Sequence, residues 1–270
     1  MIGIGIGIDS QQLASPADAA NFDALFASGE QGAIYDPSVL SSLWQDTAGT
    51  TPVTTAGDLV ARMDDLSGNG NHLTQATVGQ QPTYETNGTL HWLEFLGIDE
   101  VLTSTASVNL TGSDEISVFA GMRKVTEAAT AAVVELSANT DLNAGTFALF
   151  APSSGGTNKY RWTSRGTNTS FVNITSTAFN APITNVVTSQ GKISTDLCTI
   201  RIDGVQVGSS ATDQGTGNFV LNKLSVGGRE NGSLAADILF YGMVVRGALT
   251  TGADLTNAES VMAAKTGVTL

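Results

Sequence analysis

Short β-prone runs separated by turn residues fill the sequence from Gly32 to about residue 249, and they constrain the fold more than any other feature. Each run is bounded by Gly, Asn, Asp or Ser, and no long helical pattern separates one run from the next. This order is typical of antiparallel all-β proteins and not of alternating βαβ units. We therefore predict an antiparallel two-sheet sandwich with strands near residues 33–35, 90–95, 101–103, 116–123, 131–136, 146–150, 160–163, 185–189, 197–202, 205–208, 223–226 and 239–246.

Two local signals refine this prediction. Asp203-Gly204 lies between two alternating runs, which favours a two-residue type I′ hairpin turn. Near the C-terminus, Thr250 and Thr251 precede a helical pattern over residues 254–265, and Gly267 follows it. Capping residues before the pattern and glycine after it predict a C-terminal helix.

The first 31 residues differ in residue pattern from the rest of the sequence. Isoleucine alternates with glycine, so an extended strand would carry every isoleucine on one face. A short helix should follow, with Ser15 as its N-cap, Pro16 in its first turn and Gly29 past its end. We predict an N-terminal anchoring segment over 1–31 and a β domain over 32–270. The isoleucine strand either completes a sheet of another chain or is a frayed terminus; its residues are Ile2, Ile4, Ile6 and Ile8.

The charge balance excludes nucleic acid as a partner. The chain has 12 basic and 25 acidic residues, and its net charge of −13 would repel a phosphate backbone.

No run approaches 18 apolar residues, so we expect no membrane span. The sequence does not have the features of a signal peptide, so we expect the chain to fold in a cytoplasm. The single cysteine, Cys198, lies in an apolar run and is expected to be a buried small hydrophobe.

A turn-rich segment over residues 64–72 has two interpretations. Its residues favour left-handed or self-bonded backbone, which indicates a tight structural turn. Asp64, Asp65, Asn69 and Asn71 also supply oxygen atoms that could surround a calcium ion. The spacing differs from a helix-flanked calcium loop, so the structural turn is favoured and calcium stays the alternative. We expect no other cofactor.

The segment from residue 160 to 168 combines aromatic, cationic and amide side chains. Sugars are bound by such mixtures, because rings stack on their C–H groups and planar groups meet their hydroxyls. Strand alternation places Tyr160 and Trp162 on one face and Arg161 on the other. The two aromatics are therefore either core residues or an exposed carbohydrate-binding platform, with Arg165 and Asn168 in the following loop as further recognition residues.

Three segments in order carry a family resemblance. The first covers residues 35–46 and 49–53. The second covers 64–72, 75–77 and 81–82 and is followed by 93–102, and the third covers 242–246 and 259–267. Their order resembles laminin-G-like, concanavalin A-type jelly-roll domains of the kind found in virion structural proteins of tailed bacteriophages. The resemblance extends over about residues 33–270 and implies a jelly-roll form of the predicted sandwich.

Enzymes related to this family carry paired carboxylates on one strand, in the pattern Glu-x-Asp-x-x-Glu. No glutamate of this chain stands in that pattern, and the sequence has no Gly-x-Ser-x-Gly elbow. His72 and His91 do not have the spacing of a zinc site. We therefore expect a protein without catalytic activity.

The resemblance implies a virion structural protein displayed on the particle and assembled in the host cytoplasm. We expect recognition of a host-surface glycan as a tail fibre, tail tip or spike component, with the N-terminal segment contacting other virion proteins. A capsid decoration or head fibre protein is the first alternative, and a carbohydrate-active glycanase is the second. A homo-oligomer is expected, with a trimer favoured, because rotational symmetry repeats a weak sugar contact.

Overall fold

Nineteen β-strands and one α-helix form the part of the chain that a computed structural model describes, residues 22–167 and 172–270. The strands are β1 Gly32–Tyr35, β2 Leu43–Trp44, β3 Arg62–Met63, β4 Leu73–Thr74, β5 Thr83–Thr86, β6 His91–Leu96, β7 Leu102–Ser104, β8 Val108–Asn109, β9 Glu115–Lys124, β10 Ala132–Leu136, β11 Thr146–Phe150, β12 Arg161–Arg165, β13 Val172–Thr175, β14 Ile183–Lys192, β15 Leu197–Ile202, β16 Val205–Ser210, β17 Leu221–Asn222, β18 Leu224–Val226 and β19 Asp237–Arg246. Helix α1 spans Gly252–Thr266, and short 3-10 helices span Asp23–Phe26, Leu40–Ser42, Val78–Gln80 and Ile193–Thr195.

The strands form two large antiparallel sheets. An eight-stranded sheet has the order β16-β15-β14-β9-β19-β6-β5, with β1 paired to β19, and a nine-stranded sheet has the order β13-β12-β11-β10-β18-β7-β4-β3-β2. Strands β8 and β17 form a small separate pair. The all-β, two-sheet jelly-roll sandwich predicted from the sequence is therefore confirmed.

The main core lies between the two large sheets, as side-chain alternation requires. Apolar residues from both inner faces form one buried cluster, in which the rings of Phe147 and Trp162 lie 5.4 Å apart. The hairpin between β15 and β16 turns at Asp203 and Gly204, whose φ angles of 49° and 76° match the predicted type I′ turn. Cys198 is buried in the same core, as expected.

Helix α1 covers the outer face of the eight-stranded sheet. Its residues Met262 and Ala263 pack against Phe119 and Val244, which point away from the main core. Gly121 permits this close approach, because a Cβ atom there would lie 2.7 Å from the Met262 sulfur atom. The helix follows Thr251 and ends at Gly267, where φ is 73°, which confirms the predicted C-terminal helix. No helix in the described ranges is long and apolar enough to span a bilayer.

Residues 22–31 of the predicted anchoring segment lie against the sandwich. Phe22 and Leu25 are buried beside α1, and the Arg246 guanidinium donates to the Leu25 carbonyl oxygen at 2.7 Å and to a Glu30 carboxylate oxygen at 2.6 Å. The rest of that segment, including Ser15, Pro16 and the isoleucines Ile2, Ile4, Ile6 and Ile8, lies outside the described residues.

Gly32 should be far less tolerant of substitution than Gly29, although both have positive φ. An alanine Cβ at Gly32 would lie 1.9 Å from the Val245 carbonyl oxygen, whereas nothing lies within 4 Å of one at Gly29. We expect Gly29→Ala to lower the free energy of unfolding by about 1–2 kcal/mol. Gly32→Ala should lower it by roughly 3 kcal/mol or more, because β1 must also move away from β19. Urea unfolding followed by tryptophan fluorescence measures both, and equal losses would contradict the contact.

Cys198 should report on global unfolding. Burial raises the pKa of its thiol to about 12, and only the thiolate reacts readily with disulfide reagents. We expect labelling by such a reagent to be negligible in the native protein and to increase along the urea unfolding curve. Rapid labelling without denaturant would show that this part of the core opens locally.

Candidate functional site

The two predicted aromatic binding residues belong to the core. Tyr160 and Trp162 are both 0% exposed, and both have their polar atoms satisfied inside the sandwich. The Tyr160 hydroxyl donates to Asn185 Oδ1 at 2.8 Å, and Trp162 Nε1 donates to the Gln190 carbonyl oxygen at 3.1 Å. Of the two alternatives drawn from the sequence, the structure matches the core and excludes the platform, because neither ring has a surface on which a sugar could stack.

The opposite face of β12 carries charge. Arg161, Thr163 and Arg165 alternate with the core residues and point away from the main core, opposite Phe150, Ala148 and Thr146 of β11. The Arg161 guanidinium carbon lies 3.9 Å from the centre of the Phe150 ring, in a cation–π arrangement. Strand alternation predicts Arg161 on this face, and the structure adds its contact with Phe150.

A buried ion pair lies next to this strand. The carboxylate of Glu135, from β10, is 0% exposed and accepts from Arg229 Nε at 2.9 Å. It also accepts from the backbone N–H and the hydroxyl of Thr140 at 2.6 and 2.8 Å. Arg229 in turn donates to Asp141 Oδ2 at 2.8 Å. Burial alone would lower the pKa of Arg229, but its bonds to Asp141 and Glu135 raise it above the ordinary value.

We call Glu135, Asp141, Arg161, Arg165 and Arg229 the arginine face. It holds three of the twelve basic residues of this acidic chain and two carboxylates, so one positive charge is in excess. Burial lowers the pKa of Arg161, and the charge of Asp141 opposes that effect, which places both groups in one electrostatic environment. The arginine face therefore brings together residues from two strands, β10 and β12, and two loops.

Arg165, the third residue predicted from the sequence, lies under a loop. Only 3% of the residue is exposed, and its Nε atom donates to the Asn143 carbonyl oxygen at 2.7 Å. Asn143 is tied in turn to the Ser137 hydroxyl at 2.6 Å, which holds residues 137–145 over the sheet. Arg165 thus links β12 to this loop and is almost completely buried. Asn168, the fourth predicted residue, lies outside the described residues.

The rim of the arginine face is polar and accessible. Arg161 is partly exposed, and Thr175 of β13, which faces it in register, is exposed. On the loops nearby, Asn158 Nδ2 donates to Asn180 Oδ1 at 2.6 Å in an exposed amide pair. A cation and a hydroxyl group therefore lie side by side on β12 and β13, and an exposed amide pair joins the loops that precede β12 and follow β13.

The predicted turn over residues 64–72 is held by its own hydrogen bonds. The Asp65 carboxylate accepts from the backbone N–H groups of Ile34, Ser67 and Asn71 at 2.9–3.0 Å. The Asn71 side-chain amide donates to the Gly32 carbonyl oxygen at 2.7 Å. These contacts match the structural turn, the favoured of the two interpretations.

Asp64 and Asn69, the other two residues considered as calcium ligands, also form hydrogen bonds within the protein. Asp64 accepts from Arg62 Nε at 2.6 Å and from Trp44 Nε1 at 2.8 Å, and Asn69 donates to the Gly32 carbonyl oxygen at 3.2 Å. Residues 22–167 and 172–270 contain no group of three His, Cys, Asp or Glu side chains that could hold a metal ion. Asp65, Asn69 and Asn71 therefore tie the 64–72 turn to β1, and Asp64 ties it to β2 and β3.

A cleft of about 260 Å³ opens at one end of the sandwich. Asp237 is the single acid among the described residues that line it, and burial raises the pKa of its carboxyl group. A retaining glycosidase needs two carboxyl groups about 5–5.5 Å apart, so this lining does not form such a pair. The lining residues are Leu96, Gly97, Thr126, Ala128, Ala129, Ala131, Pro152, Ala235 and Asp237.

No protein-family model and no curated protein sequence matches the chain. In structure the chain is similar to the binding domain of botulinum neurotoxin serotype D, with a TM-score of 0.56, 11% identity, and coverage of 83% of this chain and 51% of that one. It is similar to the binding domain of Paraclostridial Mosquitocidal Protein 1, with a TM-score of 0.56, 12% identity, and coverage of 78% and 51%.

A third similar structure is described by the words "Cell entry of botulinum neurotoxin type C is dependent upon interaction with two ganglioside molecules". Its TM-score is 0.51 at 9% identity, with coverage of 91% of this chain and 53% of that one. Identities this low show a shared fold alone. The chain spans about half the length of these neighbours, so the similarity does not place a binding site.

Removing the arginine of the buried pair should strongly destabilise the protein. We expect Arg229→Met to lower the free energy of unfolding by about 3–5 kcal/mol, because it leaves the Glu135 carboxylate buried without a counter-charge. The double variant Glu135→Leu with Arg229→Met removes both charges and should lose less stability than the single variant. Urea unfolding measures both, and a double variant that loses as much as the sum of the single variants would contradict the coupling.

Proposed function

We propose that this chain is a non-enzymatic binding module that recognises a glycan on a host-cell surface. The observation that supports this most directly is the arginine face, whose partly exposed Arg161 lies in register with the exposed Thr175 of the neighbouring strand. The fold adds support, because the structural neighbours are described as binding domains and one description names ganglioside molecules.

The rim of the arginine face has the chemistry that a sugar requires. Sugar hydroxyls both donate and accept hydrogen bonds, so they need donors and acceptors at fixed positions. Arg161 and the Asn158–Asn180 amide pair supply donors, and Thr175 supplies a hydroxyl group that does both. Because β12 and β13 are part of a nine-stranded sheet, Arg161 and Thr175 are already positioned before a ligand binds.

We further propose that the module is displayed on the virion of a tailed bacteriophage, as part of a tail fibre, tail tip or spike. The sequence resemblance over residues 33–270 supports this placement. In this proposal the N-terminal segment contacts other virion proteins, and a trimer presents three copies of the site. Repetition of a weak contact in this way raises avidity by about 10²–10⁴.

A glycan array probed with the intact chain tests the binding function. We expect binding to a restricted set of surface glycans, and incubation with the same glycans should release no new reducing ends. Sustained release would establish the glycanase alternative, and binding to no glycan would contradict the proposal.

The number of copies per particle tests the proposed placement on the virion. Gel densitometry of purified particles should show a few to tens of copies per particle for a tail or spike protein. Hundreds of copies would instead establish the capsid decoration alternative.

A further inference from the structure

Arg161 differs from the other two guanidinium groups of the arginine face. Arg229 is bound to Glu135 and Asp141, and Arg165 is bound under the 137–145 loop. The Arg161 side chain donates no hydrogen bond to any residue in the described ranges, and its Nε atom is buried without a partner. A guanidinium group carries five N–H donors, so Arg161 has unused capacity at a partly exposed position.

The stacked ring fixes this unused group in place. The guanidinium carbon lies 3.9 Å from the centre of the Phe150 ring, and Phe150 is only 1% exposed. The ring is held in the sheet by its burial, and it offers the guanidinium a flat apolar surface. A planar fork held in one orientation suits bidentate binding of a carboxylate, and it also suits the oxygens of a sulfate.

The charges around Arg161 indicate that its ligand is an anion. The carboxylates of Glu135 and Asp141 are already paired with Arg229, which leaves the charge of Arg161 without a direct counter-ion among the described residues. Lys159, two residues earlier, is exposed and makes no ion pair with any described residue. The chain as a whole carries a charge of −13, so an anion would be repelled over most of its surface and accepted here.

We propose that Arg161 binds the anionic group of an acidic glycan, a carboxylate or a sulfate. This inference rests on the proposed function and makes it more specific: the ligand is a charged sugar, and Thr175 with the Asn158–Asn180 pair meets its neutral hydroxyls. Arg161 contacts the ligand directly in this arrangement, and Phe150 positions the guanidinium.

Matched pairs of glycans that differ only in charge test the proposal. The probes are oligogalacturonate against its methyl ester, and 3′-sialyllactose and 3′-sulfolactose against lactose, with affinity measured by isothermal titration. We expect at least one charged member to bind and its neutral counterpart to bind at least tenfold more weakly. Arg161→Gln should weaken binding of the charged member about ten- to a hundredfold, as expected for a lost charge-assisted hydrogen bond.

Two further variants separate a binding role from a structural one. Arg161→Lys keeps the charge without the planar fork and should give an intermediate affinity. Arg123→Gln removes an exposed arginine from the eight-stranded sheet and should leave the affinity unchanged. Thermal unfolding of each variant shows whether it is folded, and added sodium chloride should weaken binding of the charged member.

The outcomes distinguish this inference from the proposed function. If the neutral members bind as well as the charged ones, or if Arg161→Gln and Arg123→Gln bind alike, the inference is overturned while glycan recognition stands. If none of the charged probes binds but the array shows binding to neutral glycans, the inference is overturned in the same way. If no glycan binds at all, both proposals are overturned.

Discussion

The two-residue alternation of β12 is the constraint on which the rest of the structure depends. It directs Tyr160 and Trp162 into the space between the sheets and directs Arg161 and Arg165 to the opposite face. A shift of one residue would exchange these sets, placing arginines between the sheets and aromatics on the outer face. Burying a ring of 150–250 Å² contributes roughly 4–6 kcal/mol, whereas an unpaired buried guanidinium costs several kcal/mol. The register is therefore strongly determined.

The arginine face is the consequence of that register. Once the arginines point away from the core, they need counter-charges and hydrogen-bond acceptors, and the neighbouring loops supply most of them. Glu135 and Asp141 form ion pairs with Arg229, and the 137–145 loop covers Arg165. Arg161 makes no direct bond to these groups and keeps its donors. The same arrangement that stabilises the sheet thus leaves one oriented cation for a ligand.

Much of the fold could be predicted from the sequence, because its signals are local. Alternating runs predicted the long strands, Asp203-Gly204 predicted the hairpin, and Thr251 with Gly267 predicted the limits of α1. The two-residue strands β2, β3, β4, β8 and β17 were missed, since runs that short carry no alternation, and the four-residue strands β5 and β13 were missed as well. Their pairing depends on distant partners and not on their own residues.

The candidate site was predicted less completely, for a physical reason. Alternation shows which residues share a face but does not show which face is buried, so Tyr160 and Trp162 were open to two interpretations. The loop that covers Arg165 comes from residues more than twenty positions away, and no local pattern indicates it. Arg161 could have been named as a candidate binding residue, because alternation places it on the face opposite the aromatics.

A crystal structure of the protein with its tightest-binding acidic oligosaccharide is the most direct test of the proposed role of Arg161. The account predicts the anionic group within about 3 Å of the Arg161 guanidinium, and a glycan seated in the cleft beside Asp237 or on the eight-stranded sheet would contradict it.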